Sequence, residues 1–153
     1  MDLKKYPGAY AFPKCLGIRN KDRVLILTDK KVPQEIIQLI VKACREFSQQ
    51  VECDDHLPLK LSEDIPEEFH ERIRQSDVII LAANQSWYQT QTRRRVKHEF
   101  GKRIVESYGL NLNMLQAGAL CSDDTLVSEF TQKLDLFLKN GKQICLTSKQ
   151  GMN

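Results

Sequence analysis

Two short runs along the chain are apolar without interruption, Val24–Leu27 inside 23–28 and Val78–Leu81 inside 77–82. A strand that buries one face alternates apolar and polar residues. Unbroken runs of this length belong to strands buried on both faces, as in parallel sheets. Polar residues follow each run at once: Thr28 and Asp29 after the first, then Asn84, Gln85 and Ser86 after the second. In open α/β sheets the carboxyl ends of the strands are where ligands bind.

The rest of the pattern supplies the connecting elements. Tyr10 to Ile18 predicts a docked helix closed near Gly17, part of an N-terminal helical segment over 1–20. Pro33 suits a first helical position with Glu35 in the first turn, and Ile36, Ile37, Ile40, Cys44 and Phe47 recur at helical spacing. A short strand over 51–53 runs into Asp54, Asp55 and His56, and 57–65 is a polar connector. Pro66 opens a helix with Phe69 and Ile73 on one face. After 83–90, Thr92 to Phe100 predicts a basic helix that Gly101 lets stop, and 103–107 a weaker strand. Leu110 to Leu120 is expected to be helical. Ser122 is the expected cap of a longer helix carrying Leu126, Phe130, Leu134, Phe137 and Leu138 on one face, ended by Asn140 and Gly141. A last strand is expected over 142–147.

Strands and helices thus alternate about five times, which predicts parallel βαβ units with right-handed crossovers. The expected fold is α/β: a single domain over 1–153 with a three-layer, open, mostly parallel sheet of four to five strands. Helices cover both faces in a Rossmann-like arrangement.

Length and composition fit that expectation. The 153 residues suffice for one core without staples, and 41% hydrophobic with 28% charged residues argues against disorder. No apolar run approaches the roughly 18 residues of a membrane span, and the amino terminus lacks the apolar stretch of a secretory signal. Five cysteines without a Cys-x-x-Cys pair point to a reduced, cytoplasmic setting. Cys15, Cys44 and Cys145 lie in apolar segments and are expected to act as small core hydrophobes. A net charge of +3 does not call for a nucleic-acid partner. Its local excess lies in Arg93, Arg94, Arg95, Lys97 and His98 with Lys102 and Arg103, and is expected to be a solvated helix face.

The motifs exclude more than they assign. No Gly-x-Gly-x-x-Gly or Walker loop follows the first strand, so a dinucleotide or phosphate cradle is not expected. Gly-x-Ser-x-Gly is missing as well. His70 and His98 fall in charged helices and are expected to be solvated. Asp54, Asp55 and His56, at a strand's carboxyl end, could hold a ribose or a hard cation, but a polar strand exit is the expected role. The best candidate for contacts is the loop from Asn84 to Arg93. Asn84, Ser86 and Thr90 offer hydrogen bonds, Trp87 and Tyr88 offer stacking surface, and Arg93 with Arg94 can meet an anion. Thr28 and Asp29 share the same edge. Donors at the following helix N-terminus would favour a carboxylate or phosphate, whereas a purely structural loop would cap that helix. No base or nucleophile is paired within the loop, so no catalytic residue is expected there.

The order of these segments resembles the aminopeptidase T type of leucyl aminopeptidases, a metallopeptidase family. The matching residues are Lys14 to Ile18 leading into Asp22 to Asp29, then Ser76 to Ile80, then Ser86-x-x-x-Thr90-x-x-Arg93-Arg94. Gly101 to Gly109 and the stretch from Leu115 through Leu126–Leu138 to Gly151 continue the resemblance over nearly the whole chain. Tyr108 stands where the family often has proline. The resemblance implies the family's amino-terminal α/β domain. That family builds its two-metal site from Glu, His, Tyr and Asp residues of a following domain. It therefore implies no metal, cofactor or catalytic residue in this chain, and two divalent metals only in the missing domain. The implied role is scaffold, cleft wall and interface, with the catalytic domain or a homo-oligomer partner such as a second copy in a dimer. Longer members are metal-dependent aminopeptidases, hydrolases of N-terminal peptide bonds. A stand-alone module is the alternative, holding a small anion or a partner's acidic segment at Thr28, Asp29 and the Asn84–Arg93 edge. Nucleic-acid binding through 93–103 is a third reading and is not expected, nor is a membrane partner.

Overall fold

The computed structural model describes residues 2–58, 64–87 and 90–143, with 145, 147–149 and 151. Contacts divide the chain into two compact units, Met1–Cys121 and Ser122–Asn153.

The first unit is built on four parallel strands, β1 (Arg23–Thr28), β2 (Gln50–Asp54), β3 (Val78–Ala83) and β4 (Arg103–Tyr108), in the order β2-β1-β3-β4. Val24 pairs with Val51 on one side and Val78 on the other, and Ile79 pairs with Ile104. The two unbroken apolar runs are the two central strands, and every residue of β3 is buried. The edge strand β2 is mostly exposed. The expected α/β class with a parallel sheet is therefore the observed one, with four strands.

Side chains alternate across this sheet and split the core in two. Val24, Ile26, Val78, Ile80 and Ala82 face α2 (Gln34–Arg45), α1 (Ala11–Cys15) and α5 (Leu112–Gln116). Leu25, Leu27, Ile79, Leu81 and Ala83 face α3 (His70–Gln75) and α4 (Gln91–His98). Helices thus lie on both faces. α2 buries Ile36, Ile37, Leu39, Ile40, Ala43 and Cys44, as the helical spacing predicts, while Phe47 packs only partly against the cluster. Pro33 is the residue before that helix rather than its first one.

The N-terminal segment docks as expected through Leu3, Ala9, Phe12, Leu16 and Ile18. It begins with two 3-10 turns, Leu3–Lys5 and Pro7–Tyr10, before α1. Gly17 closes α1 with φ +55. Its N–H donates to Lys14 O at 2.9 Å and that of Ile18 to Pro13 O at 3.0 Å, the two bonds of a Schellman ending. Gly8 lets the segment approach α5 closely: a Cβ there would stand 2.9 Å from Leu115 Cα.

Two expectations on cysteine and histidine are corrected. Cys44 is buried, but Cys15 and Cys145 are exposed. His70 is held rather than solvated: Nε2 lies 2.9 Å from Ile65 O and 3.0 Å from Thr92 Oγ1. His98 is exposed as expected. Among the described residues no helix is long and apolar enough to cross a membrane.

The second unit contains α6 (Asp124–Lys139). Its cap is Asp123, not Ser122: the Asp123 carboxylate accepts from Thr125 N at 2.8 Å and Leu126 N at 3.3 Å. Taken by itself, the helix carries Leu126, Phe130, Leu134, Phe137 and Leu138 as exposed side chains. Of the expected last strand, Lys142, Gln143, Cys145 and Thr147 are not in a strand, and 144 and 146 lie outside the described residues.

Candidate functional site

The strand order places a topological switch between β1 and β3. After β1 the chain moves outward through α2 to β2. After β3 it moves the opposite way through α4 to β4. The two exits diverge at their carboxyl ends, which is the usual ligand position in such sheets. Thr28 and Asp29 leave β1 there, and the loop from Asn84 leaves β3.

Asp29 is 2% exposed and spans that divergence. One carboxylate oxygen accepts from Asn84 N at 2.6 Å, and the other from Lys31 N at 2.8 Å. Thr28 is also buried, and its carbonyl accepts from Leu57 N at 3.0 Å, which draws the segment after β2 across the same end. The candidates Thr28, Asp29 and Asn84 are thus brought together, with the Asn84 side chain exposed.

Trp87 is fully buried, packed among Leu81, Ala83 and Val96, so it is core rather than a stacking surface open to a ligand. Its backbone N–H donates to Glu106 of β4. The Glu106 side chain is 5% exposed, and its other oxygen lies 3.7 Å from Arg93 Nε, with Arg93 itself 16% exposed. Thr90 is the N-cap of α4: its hydroxyl donates to Trp87 O at 2.8 Å and accepts from Arg93 N at 3.3 Å. The capping role open to this loop in the sequence is the one Thr90 performs. Ser86 is half-buried and Arg94 exposed. Tyr88 lies outside the described residues.

The N-terminus of α4 is served by a carboxylate, and it is the chain's own. Asp64 accepts from Thr92 N and Ile65 N, both at 2.8 Å. Burial works to raise its pKa, but the hydrogen bonds from Thr92 and Ile65 outweigh that and hold it below the ordinary value. Three carboxylates from three separate segments, Asp29, Asp64 and Glu106, therefore each accept a backbone N–H between 84 and 92. Glu106 and Asp64 were not singled out in the sequence. The one signal for Glu106 is a charged residue inside the strand pattern Ile104, Val105, Glu106.

The basic stretch is partly spent inside the fold. Arg103 donates to Leu16 O at 2.9 Å and Gly17 O at 2.6 Å and pairs with Asp22 at 2.8 Å, tying β4 to the end of α1. Arg95 pairs with Glu99 at 3.1 Å and lies over the Phe100 ring. Arg94, Lys97 and His98 are exposed.

Asp54, Asp55 and His56 bring ligand-type atoms within 4.8 Å of one another. Asp54 accepts from His56 N at 2.8 Å and is paired with Arg72, which also pairs with Glu52. Desolvation works against the Asp54 charge, yet Arg72 and the His56 N–H hold its pKa below the ordinary value. Arg72 takes one Asp54 oxygen, and His56 Nδ1 lies 2.9 Å from the other. The trio fits the polar strand exit expected from the sequence.

No known protein family and no curated protein matches the chain. Among solved structures it is similar in fold to a 2,5-dihydroxypyridine dioxygenase from Pseudomonas putida KT2440, with a TM-score of 0.51 and 9% identity over 67% of this chain. The match covers 33% of that protein, so this chain spans about a third of its length. At that identity the likeness is one of fold: a three-layer α/β domain with a parallel sheet.

Proposed function

We propose that this chain is the amino-terminal α/β domain of an aminopeptidase T-like protein and acts as the scaffold and wall of a cleft, without turnover of its own. The observation that carries this reading is the use of the switch-point edge. Asp29, Asp64 and Glu106 spend their oxygens holding the 84–92 segment in place. A side chain that fixes a loop shapes a surface, whereas a general base needs an oxygen turned toward substrate. The same bracing consumes the α4 amides that an anion would otherwise use, which disfavours a stand-alone anion-binding module at this edge. The ordered motifs from Lys14 to Gly151 are what points to the family.

In this reading the metal-activated water of peptide hydrolysis belongs to a following domain. Residues 84–87 and 90–94 are the wall presented to it, with the half-buried Ser86 and the exposed Arg94 as its contacts. The chain is to be assayed with leucine p-nitroanilide and added Zn²⁺, Mn²⁺ or Co²⁺. No turnover above buffer is expected, and metal-dependent turnover by this chain alone would overturn the reading. Supplied with the metal-binding domain of an aminopeptidase T-type enzyme, it is expected to co-elute with it. Failure to associate would remove the assignment as a cleft wall.

A further inference from the structure

Taken by itself, α6 exposes six apolar side chains along one stripe: Leu126, Val127, Phe130, Leu134, Phe137 and Leu138. At about 3.6 residues per turn they fall within roughly a third of the helix circumference. Val127, Phe130, Leu134 and Phe137 follow the three-then-four spacing of a seam between two helices, and Leu126 and Leu138 border it. Leu136, also exposed, stands nearly opposite the stripe.

The size of the stripe calls for a cover. Phe130 is 68% exposed and Phe137 80%. Since one aromatic side chain buries about 150–250 Å², the six together offer on the order of 600 Å², as much as the largest apolar patch of a typical monomer. Two such faces bring about 1,200 Å² together, the area at which specific, stable interfaces begin.

The order of residues along the stripe says what the cover is. It is symmetric about Gln132: Leu126 mirrors Leu138, Val127 mirrors Phe137, and Phe130 mirrors Leu134. A two-fold interface requires such self-complementarity, because residue i of one copy meets j of the other while j meets i. With the helices antiparallel, each layer of the seam holds one ring and one aliphatic side chain, Phe137 with Val127 or Phe130 with Leu134. Large and small residues then interdigitate evenly. A parallel pair would set each ring against its own copy and Val127 against Val127, in layers of unequal depth. Lys133 borders the stripe and approaches Lys133 of the second copy, but at an exposed rim where water and salt screen the repulsion.

We propose that α6 is a dimerisation helix, pairing antiparallel with α6 of a second copy of this chain. The pairing is independent of the cleft-wall reading and holds whether or not the chain serves a peptidase.

Sedimentation equilibrium of the full chain tests it, and a species of twice 17.7 kDa is expected. Phe130→Glu is expected to weaken the dimer about tenfold or more, as loss of a central anchor does. Leu136→Glu, off the stripe, is expected to leave it unchanged. Phe137→Lys and Val127→Glu are each expected to impair pairing alone and to restore it when mixed, because the antiparallel layer brings the two new charges together. In a parallel pair they lie far apart along the helix, and the mixture decides the matter even if Phe130→Glu loses its helix. The proposal is overturned by a chain that stays monomeric at every concentration, which would mean that the stripe is covered by the rest of the chain or by another protein. It is equally overturned by a dimer that survives Phe130→Glu, by one that Leu136→Glu disrupts to the same degree, or by a mixture that does not recover pairing.

Discussion

The carboxylate of Asp29 accepts the backbone N–H of Asn84 at 2.6 Å, joining the exits of two neighbouring strands that then diverge. Because Asp29 is 2% exposed, removing it strands two backbone donors, those of Asn84 and Lys31. Asp29→Ala is expected to cost about 1–3 kcal/mol, the usual penalty for buried donors left without an acceptor. Urea unfolding followed by circular dichroism measures it. An unchanged midpoint would show that the bond does not brace the two strand exits.

Glu106 makes a sharper case, since it serves Trp87 N and Arg93 together. Glu106→Ala removes the acceptor of the buried Trp87 N–H, and a buried donor left without an acceptor costs about 1–3 kcal/mol. Glu106→Gln is expected to cost less, because its amide oxygen still accepts from Trp87. The chain has one tryptophan, so its fluorescence reports this locale alone. A red shift at Glu106→Ala with no shift at Glu106→Gln is the expected outcome.

Asp64 ties stability to acid. Its pKa in the folded chain lies below the ordinary value of 3.8. A group lowered by folding contributes stability above its unfolded pKa and loses it as pH falls through the folded one. Asp64→Ala is therefore expected to unfold more readily than the parent at neutral pH, with the difference shrinking below about pH 4. Melting temperatures of both proteins from pH 7 to pH 3 measure this. A gap that widens on acidification would reverse the sign and refute the assignment.

Burial pushes the Cys44 thiol up to about 12, with nearby Cys15 adding to the shift. The thiolate is the reactive form, so Cys44 is expected to stay silent to a disulfide reagent at pH 8 until denaturant is added. Cysteine-to-serine changes at the other four positions isolate its rate. Prompt labelling of the native protein would show that α2 opens locally.

What the sequence made legible, and what it hid, follows a physical line. β1 and β3 are readable because two-sided burial demands unbroken apolar runs, and α2 because one-sided burial imposes helical spacing. The end of α1 is readable because a left-handed turn asks for Gly17. The cap of α6 went to Asp123 rather than Ser122, since adjacent residues of cap-forming type give no local basis for choosing. Thr28, Asp29 and Asn84 lie at the carboxyl ends of β1 and β3, a position that the apolar runs alone predict. Their partners were hidden, because Asp29, Asp64 and Glu106 bind backbone N–H groups, which every residue except proline has and which leave no mark in the sequence. His70 was misread for a related reason: Thr92, which fixes it, comes from another helix.

The three bracing bonds span 55, 28 and 19 residues, for Asp29, Asp64 and Glu106 respectively. Each closes only when a remote segment is in position, so the loop after β3 owes its shape to three distant parts of the chain and not to its own turn.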